Sequence, residues 1–228
     1  MEIIELPIEF EYNGQQNYIY PSLIVSENEL TLVDTGYPGF LPFIEKEIVT
    51  RGYDMKNLKN ILITHYDDDH IGSLYDFKEK YPSVTIMASG VEAEFISGKV
   101  KPERLAQAEA MLEHMPEEQQ DFGHWFVQQL KSLKHVSVEQ TVHDGEWILN
   151  QQCKVLATPG HTSGHISLYF PELSSVITGD AAVRDGEELM IANPHFCLDR
   201  ERADQSLNVL QNLQAKSYYC YHGGSLTL

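Results

Sequence analysis

The sequence predicts an α/β fold, on three observations. Short β-rich runs alternate along the chain with segments of helical period. The 228 residues suffice for one large domain, and no Pro/Gly/Ser-rich linker divides them. Apolar residues make up 42% of the chain, with 9 Phe, 12 Tyr and 2 Trp, which supplies a sizeable core without disulfides and excludes intrinsic disorder. The expected organisation is a single domain over residues 1–228, carrying a helical insertion at about 91–133.

From Ile3 to Val33 apolar and polar residues alternate about an Asn13-Gly14 turn signal, as short antiparallel strands do, and the run ends in Leu32-Val33-Asp34-Thr35-Gly36. Phe43, Ile44 and Ile48 mark a helix. Ile61-Leu62-Ile63 reads as a buried strand running into His65, since a short unbroken apolar run fits a strand covered on both faces. Ile71, Leu74, Tyr75 and Phe77 mark the next helix, and Val84-Thr85-Ile86-Met87 another strand. Between about Val91 and Leu133 the period is helical: Leu105, Ala108, Met111 and Leu112 form one stripe, and Phe122, Trp125, Phe126 and Leu130 a second. Such stripes are read first as core or as a homodimer surface. The alternative is a lid in which Met111, Phe122, Trp125 or Phe126 covers a site.

Strands resume after Val136 with Trp147-Ile148-Leu149, Lys154-Val155-Leu156 and Ser175-Val176-Ile177-Thr178, the last leading into Gly179-Asp180. A helix through Ala203, Leu207, Leu210 and Leu213 precedes a terminal strand, Tyr218-Tyr219-Cys220-Tyr221, that delivers His222. Asp34 and Asp180 both follow β-rich runs, and His65 and His222 both follow later strands in their halves, which hints at a duplicated half.

With 34 acidic against 16 basic residues the formal charge is −18, so the mean surface field repels phosphate backbones and nucleic acid is not an expected partner. Most of these acids serve solubility. Cys153, Cys197 and Cys220 are odd in number and scattered, as reduced thiols are. The acidic start, Met1-Glu2-Ile3-Ile4-Glu5, has neither the basic region nor the apolar stretch of a secretory signal. No apolar run approaches the roughly 18 residues that span a bilayer. A cytoplasmic protein with no membrane partner is expected.

The chemistry concentrates in Thr64-His65-Tyr66-Asp67-Asp68-Asp69-His70-Ile71-Gly72, where two histidines and three carboxylates crowd the end of a buried strand. In an extended segment residues two apart project to one side, so His65 and Asp67 converge. Asp69 and His70 follow at the turn into a helix. Mixed N and O ligands suit Zn, Mn or Fe rather than Ca or Mg, which prefer oxygen shells. Helix capping by Asp explains one of the carboxylates, not three flanked by His. Ala157-Thr158-Pro159-Gly160-His161-Thr162-Ser163-Gly164-His165, Ile177-Thr178-Gly179-Asp180 and Tyr221-His222-Gly223-Gly224 add weaker signals, each alone compatible with a turn residue or a cap.

Taken in order, these segments resemble the metallo-β-lactamase superfamily, whose pattern is an early Asp, H-x-H-x-D-H, a distant His, a distant Asp and a terminal His. The resemblance spans residues of about 30 to 224, with the spacing most similar to the lactonase and glyoxalase II branch. It implies an αββα four-layer sandwich with a metal site at one edge of two sheets. It further implies that His65, Asp67 and His161 hold one divalent ion, that Asp69, His70 and His222 hold a second, and that Asp180 bridges them. Asp34 is implied behind them, accepting a hydrogen bond that orients a ligand histidine. His165 is implied as structural; His195, in Asn193-Pro194-His195, lies outside every motif and is expected only to border the pocket.

One departure stands out: Asp67 occupies the place of the second histidine of H-x-H-x-D-H. Two divalent ions with Asp67, Asp69 and Asp180 sum to one positive charge fewer than the usual set. The expected centre is therefore a weaker Lewis acid that shifts preference from Zn toward Fe or Mn.

The implied activity is metal-dependent hydrolysis of a small ester, lactone or thioester. Two ions, Zn with Fe or Mn as alternatives, would ionise a water to hydroxide near neutral pH, and Asp69 would hold that water and pass its proton to the leaving group. The expected partner is a small-molecule acyl substrate. Lactonases of the family often carry Tyr three residues beyond the bridging Asp, whereas Val183 stands there, so acyl-homoserine lactones are not indicated. Two other classes remain open. A di-iron oxidoreductase related to flavodiiron proteins would explain a carboxylate at Asp67, although no room for a flavin domain is expected after His222. A non-catalytic metal-bound binding protein is the third.

Overall fold

The computed structural model describes residues 1–12 and 14–228, so Asn13 of the expected turn lies outside the described residues. The chain opens with β1 (Glu2–Glu5), β2 (Ile8–Tyr12), β3 (Gln15–Ile19), β4 (Ser22–Ser26) and β5 (Glu29–Val33). Helix α1 (Leu41–Thr50), strand β6 (Leu58–Leu62), the short helix α2 (Asp68–Ile71), α3 (Leu74–Lys80) and β7 (Thr85–Ser89) follow. Three helices, α4 (Gly90–Ile96), α5 (Glu103–Glu113) and α6 (Gln120–Ser132), form the insertion ahead of β8 (Gln140–Val142). The rest comprises β9 (Trp147–Ile148), β10 (Cys153–Ala157), β11 (Ile166–Phe170), β12 (Ser175–Gly179), β13 (Val183–Asp185), β14 (Glu188–Met190), α7 (Arg200–Asn212), β15 (Ser217–Cys220) and β16 (Gly224–Thr227).

Two six-stranded sheets result, ordered β1-β4-β5-β6-β7-β8 and β16-β15-β12-β11-β10-β9. Period-two patterning decides how they stack. In β4, Ile24 faces the second sheet while Leu23 and Val25 face helices, and in β6 Leu62 and Ile61 divide in the same way. Ile24, Val33, Leu62 and Met87 of the first sheet pack with Val155, Ile166, Leu168, Phe170 and Ile177 of the second, forming the layer between sheets. Helical residues Ile44, Ile48, Phe77, Phe95 and Leu130 cover the outer face of the first sheet. Leu210 of α7 covers Val176, Tyr218 and Cys220 on the outer face of the second. The layers are thus helix, sheet, sheet, helix.

Three local differences from the expected elements have physical causes. The helix expected through residues 71–77 is broken into α2 and α3 where another loop crosses it. A Cβ on Gly72 would lie 2.3 Å from Pro38 N, and Ser73 Oγ accepts from Phe40 N (2.7 Å) while donating to Tyr37 O (2.7 Å). Strand β11 departs from expectation, because Ser167 interrupts its apolar run. The Ser167 hydroxyl is buried and donates to Thr178 O at 2.8 Å. Nor is β15 terminal: β16, poor in β-formers, pairs with it antiparallel from Ser217↔Thr227 to Cys220↔Gly224. All three cysteines are buried free thiols. Among the described residues no helix is long and apolar enough to cross a membrane.

Candidate metal centre

Parallel strand pairs aim their carboxyl ends at one edge of the sandwich, and the site grows from those ends. Strand β5 pairs in parallel with β6, delivering Asp34 and His65, and β12 pairs in parallel with β15, delivering Asp180 and His222. Asp67 is the N-cap of α2, whose first turn carries Asp69 and His70. His161 sits in the turn between β10 and β11. That turn requires Gly160, since its φ is 132° and a Cβ there would lie 2.1 Å from Ala203 N at the start of α7.

Behind the histidines, hydrogen bonds set the direction of each ring. Asp34 holds a left-handed φ of 63°, unusual for a non-glycine residue, and all its side-chain contacts are made from that conformation. Its Oδ1 accepts from Thr64 N (2.8 Å) and its Oδ2 from Thr64 Oγ1 (2.8 Å) and His70 Nδ1 (2.9 Å). Having donated to Asp34, the Thr64 hydroxyl accepts from His65 Nδ1 at 3.0 Å. This network assigns the proton to Nδ1 of both rings and leaves each Nε2 as a bare acceptor. His165 Nε2 accepts from Asp180 N (2.9 Å), and its Nδ1 donates to Thr158 Oγ1 (2.8 Å), so it holds the backbone that presents Asp180.

The seven residues expected as ligands meet at this edge. His65, His161 and Asp180 offer one group of donor atoms within 4.8 Å of one another, and Asp69, His70 and His222 a second. Asp180 faces both, with Oδ2 3.5 Å from His161 Nε2, and Oδ1 3.3 Å from His70 Nε2 and 3.6 Å from His222 Nε2. Asp69 Oδ2 lies 3.1 Å from His222 Nε2 and 3.7 Å from His70 Nε2. Asp67 Oδ2 stands 3.0 Å from His161 Nε2 and 3.6 Å from His65 Nε2. Ligand atoms about 2.0–2.1 Å from a tetrahedral ion sit roughly 3.4 Å apart, the same spacing as these contacts. The buried atoms His65 Nε2, His70 Nε2 and Asp180 Oδ1 have no hydrogen-bond partner among the described residues. Atoms so placed fit divalent ions, because a buried polar atom is otherwise costly to leave unpaired.

Sequence reading missed Arg104. It is 3% exposed, reaches in from α5 and clamps Asp67: Nε lies 3.0 Å from Oδ1 and Nη2 2.6 Å from Oδ2. Its Nη1 donates to Gln107 Oε1 and to Phe196 O, and Nη2 lies 3.2 Å from His161 Nε2. No signal in the sequence distinguishes this arginine from a solvated helix residue. The expectation of a less positive centre is therefore corrected, because the buried guanidinium returns the charge that Asp67 removes.

These charges tune one another. Burial pushes the Asp67 carboxyl up, but the Arg104 guanidinium and the His161 and His65 rings outweigh it and hold it well below the usual range. Burial likewise opposes ionisation of Asp180, and His222 and His70 overcome it. Asp68, to which sequence reading gave no role, is pushed up to about 7 by burial and by the neighbouring Asp69 and Asp67.

A cavity of about 540 Å³ shares its lining between this polar edge and an apolar wall. The wall comprises Tyr12, Tyr37, Phe122, Trp125, Phe126, Val183 and Phe196. The insertion's stripes thus divide: Ala108, Val127 and Leu130 are buried in the core, whereas Phe122, Trp125 and Phe126 line the cavity. Met111 faces away, toward a separate hollow with His114 and Met115, so its expected place over the site is corrected. His195 does not line the cavity either; Asn193 and Phe196 beside it do.

The chain is 26% identical over 230 residues to the Probable metallo-hydrolase YflN of Bacillus subtilis, covering 92% of this chain and 81% of that protein. It is 26% identical over 218 residues to a Hydroxyacylglutathione hydrolase of Synechococcus, covering 91% of this chain and 65% of that one. Among solved structures, a metallo-beta-lactamase family protein of Thermus thermophilus superposes with a TM-score of 0.74 at 24% identity, over 99% of this chain and 74% of that one. DIM-1 Metallo-beta-Lactamase superposes with a TM-score of 0.67 at 14% identity, over 99% and 87%, which shows a shared fold. The profile of the Metallo-beta-lactamase superfamily matches residues 16–222, and the chain belongs to that superfamily.

Proposed function

We propose that this protein is a metal-dependent hydrolase of small, uncharged esters, lactones or thioesters with an apolar acyl group. The observation that carries this reading is the meeting, in one cavity, of an aromatic wall with two His/Asp groups, Asp180 of the first lying 3.3 Å from His70 and 3.6 Å from His222 of the second. His65, Asp67, His161 and Asp180 would hold one ion, and Asp69, His70, His222 and Asp180 the other. The mixed set suits Zn, with Fe or Mn as alternatives, and the neutralisation of Asp67 by Arg104 removes the reason to favour the latter. When bound, the ions supply a water ionised near neutral pH and a Lewis acid for the carbonyl oxygen.

The chain's own residues do the rest. Asp69 holds the attacking water by its free carboxylate lone pairs, takes the proton and delivers it to the leaving oxygen or sulfur. Phe122, Trp125, Phe126 and Phe196 bind the acyl group and exclude water beside the reacting carbonyl. Among the described residues Arg104 is the only Lys or Arg side chain in the lining, and it is paired with Asp67.

The test is turnover of neutral esters, lactones and thioesters by protein stripped of metal and reloaded with Zn. Hydrolysis should require the metal, and Asp180→Ala should empty both groups and cut the rate by at least about 10²-fold. Loaded wild-type protein that turns over none of these acyl compounds would sink the reading.

A further inference from the structure

We infer that Asp67 and Arg104 act as one unit, a carboxylate–guanidinium couple standing in for a ligand imidazole, with Arg104 positioning Asp67 for the ion beside His65 and His161. This rests on the two-ion assignment proposed above. An imidazole contributes one neutral donor of fixed direction. A lone carboxylate contributes a charge and can rotate. Arg104 cancels the charge and removes the rotation: Nε and Nη2 grip both oxygens, at 3.0 Å and 2.6 Å, and Oδ2 is left facing His161 and His65. Oδ1 accepts the Nε bond alone and keeps a lone pair, whereas Oδ2 accepts from Nη2 (2.6 Å) and, more weakly, from the shared Nε (3.1 Å), so an ion on Oδ2 displaces only the longer of its two bonds.

The guanidinium is itself held. Gln107 Oε1 and Phe196 O accept from Nη1, and the Phe196 ring lies 5.5 Å from the guanidinium carbon. Phe196 in turn packs on Phe126 of α6, with ring centroids 6.3 Å apart. The insertion therefore supplies both a wall of the cavity and the counter-charge of the first ion position. A buried pair of this kind is intolerant of losing one member and tolerant of losing both.

A double-variant cycle read by metal content tests the couple. Wild type, Arg104→Met, Asp67→His and the double variant are stripped, titrated with Zn, analysed for bound metal, and loaded with Co to read the ligand field of each position. Thermal melts and circular dichroism follow folding. Wild type should hold two ions. Arg104→Met should keep the ion at Asp69, His70 and His222 but bind the other about 10–100-fold more weakly. Asp67→His alone leaves a guanidinium unpaired and should lose the first ion and melt lower. The double variant should regain two ions and the wild-type melting range.

Unchanged first-site affinity in Arg104→Met would overturn the inference. So would tighter binding, since it would mean that the guanidinium competes with the ion through its contact with His161. A wild type that holds one ion, or a double variant that folds without regaining the second, would overturn it as well. Acyl-substrate turnover is not read in this cycle, so failure of the couple and failure of the proposed hydrolysis are separable.

Discussion

At the scale of single residues, the edge of the site depends on carboxylates whose hydrogen bonds run in one direction only. Glu92, buried beneath the His161 turn, accepts from Tyr66 N at 2.9 Å on one oxygen, and from Thr162 Oγ1 (2.6 Å) and Gly164 N (3.2 Å) on the other. Either orientation of a glutamine there turns an NH₂ toward a donor. Glu92→Gln should therefore lower stability by about 1–3 kcal/mol near pH 5. Burial raises the Glu92 carboxyl from 4.5 to about 7, only partly opposed by those hydrogen bonds. Between those values the unfolded chain has released the proton and the folded chain has not, so this group's contribution to stability falls as pH rises through the window and is level above it. Glutamine has no such slope, and the deficit of the variant should shrink between pH 5 and 7.5 in urea titrations. A deficit independent of pH would show that the donated bonds keep Glu92 ionised throughout.

At the scale of elements, the two halves repeat a connection pattern. In each, an antiparallel pair is followed by a helical crossover to a parallel strand: β4, β5 and β6 in one, β11, β12 and β15 in the other. Each parallel pair ends in an Asp and a His, which is why residues as distant as Asp34, His65, Asp180 and His222 share one edge. The insertion breaks that symmetry between β7 and β8. Its exposed aromatics are the variable part of the cavity. Trp125→Ala and Phe122→Ala should change the ratio of rates for long and short acyl chains by about 10-fold, each lost apolar contact being worth roughly 1–3 kcal/mol. Metal content should not change. If only melting temperature or self-association moves, these rings serve packing between elements or copies.

At the scale of the whole molecule, the formal charge of −18 sets a field into which a substrate must diffuse. Two divalent ions would offset Asp67, Asp68, Asp69 and Asp180 in the cavity, so the field that an approaching substrate meets is that of the acidic surface beyond it. Thioesters of an anionic thiol should therefore show kcat/KM rising by about two- to tenfold between roughly 10 and 200 mM salt, as screening shortens from about 30 Å toward 8 Å. Neutral esters of similar size should stay flat. Equal salt dependence for both would mean that the bound ions, not the protein surface, govern encounter.

Much of this was legible in the chain itself. Period-two runs gave the strands, the period of 3.6 gave α7 and the insertion, and His65, Asp67, Asp69 and His70 stood out because imidazoles and carboxylates at a strand end have few structural reasons to cluster, whereas His161, Asp180 and His222 entered only through the resemblance to the metallo-β-lactamase superfamily. These signals are local: a side chain's alternation or its distance along a strand is written in its neighbours. Arg104 could not be read that way. Its partner Asp67 is 37 residues away, and an arginine on a helix is ordinarily solvated, so only the packing of α5 against the first half turns it inward. The same holds for the split of the insertion's apolar residues between core and cavity, and for β11 and β16, whose weak local preference is settled by the strands they pair with. Sequence by itself determined which donors are present and in what order. Tertiary structure decided which of them face one another, because charge pairing and burial depend on distances through space that separation along the chain does not encode.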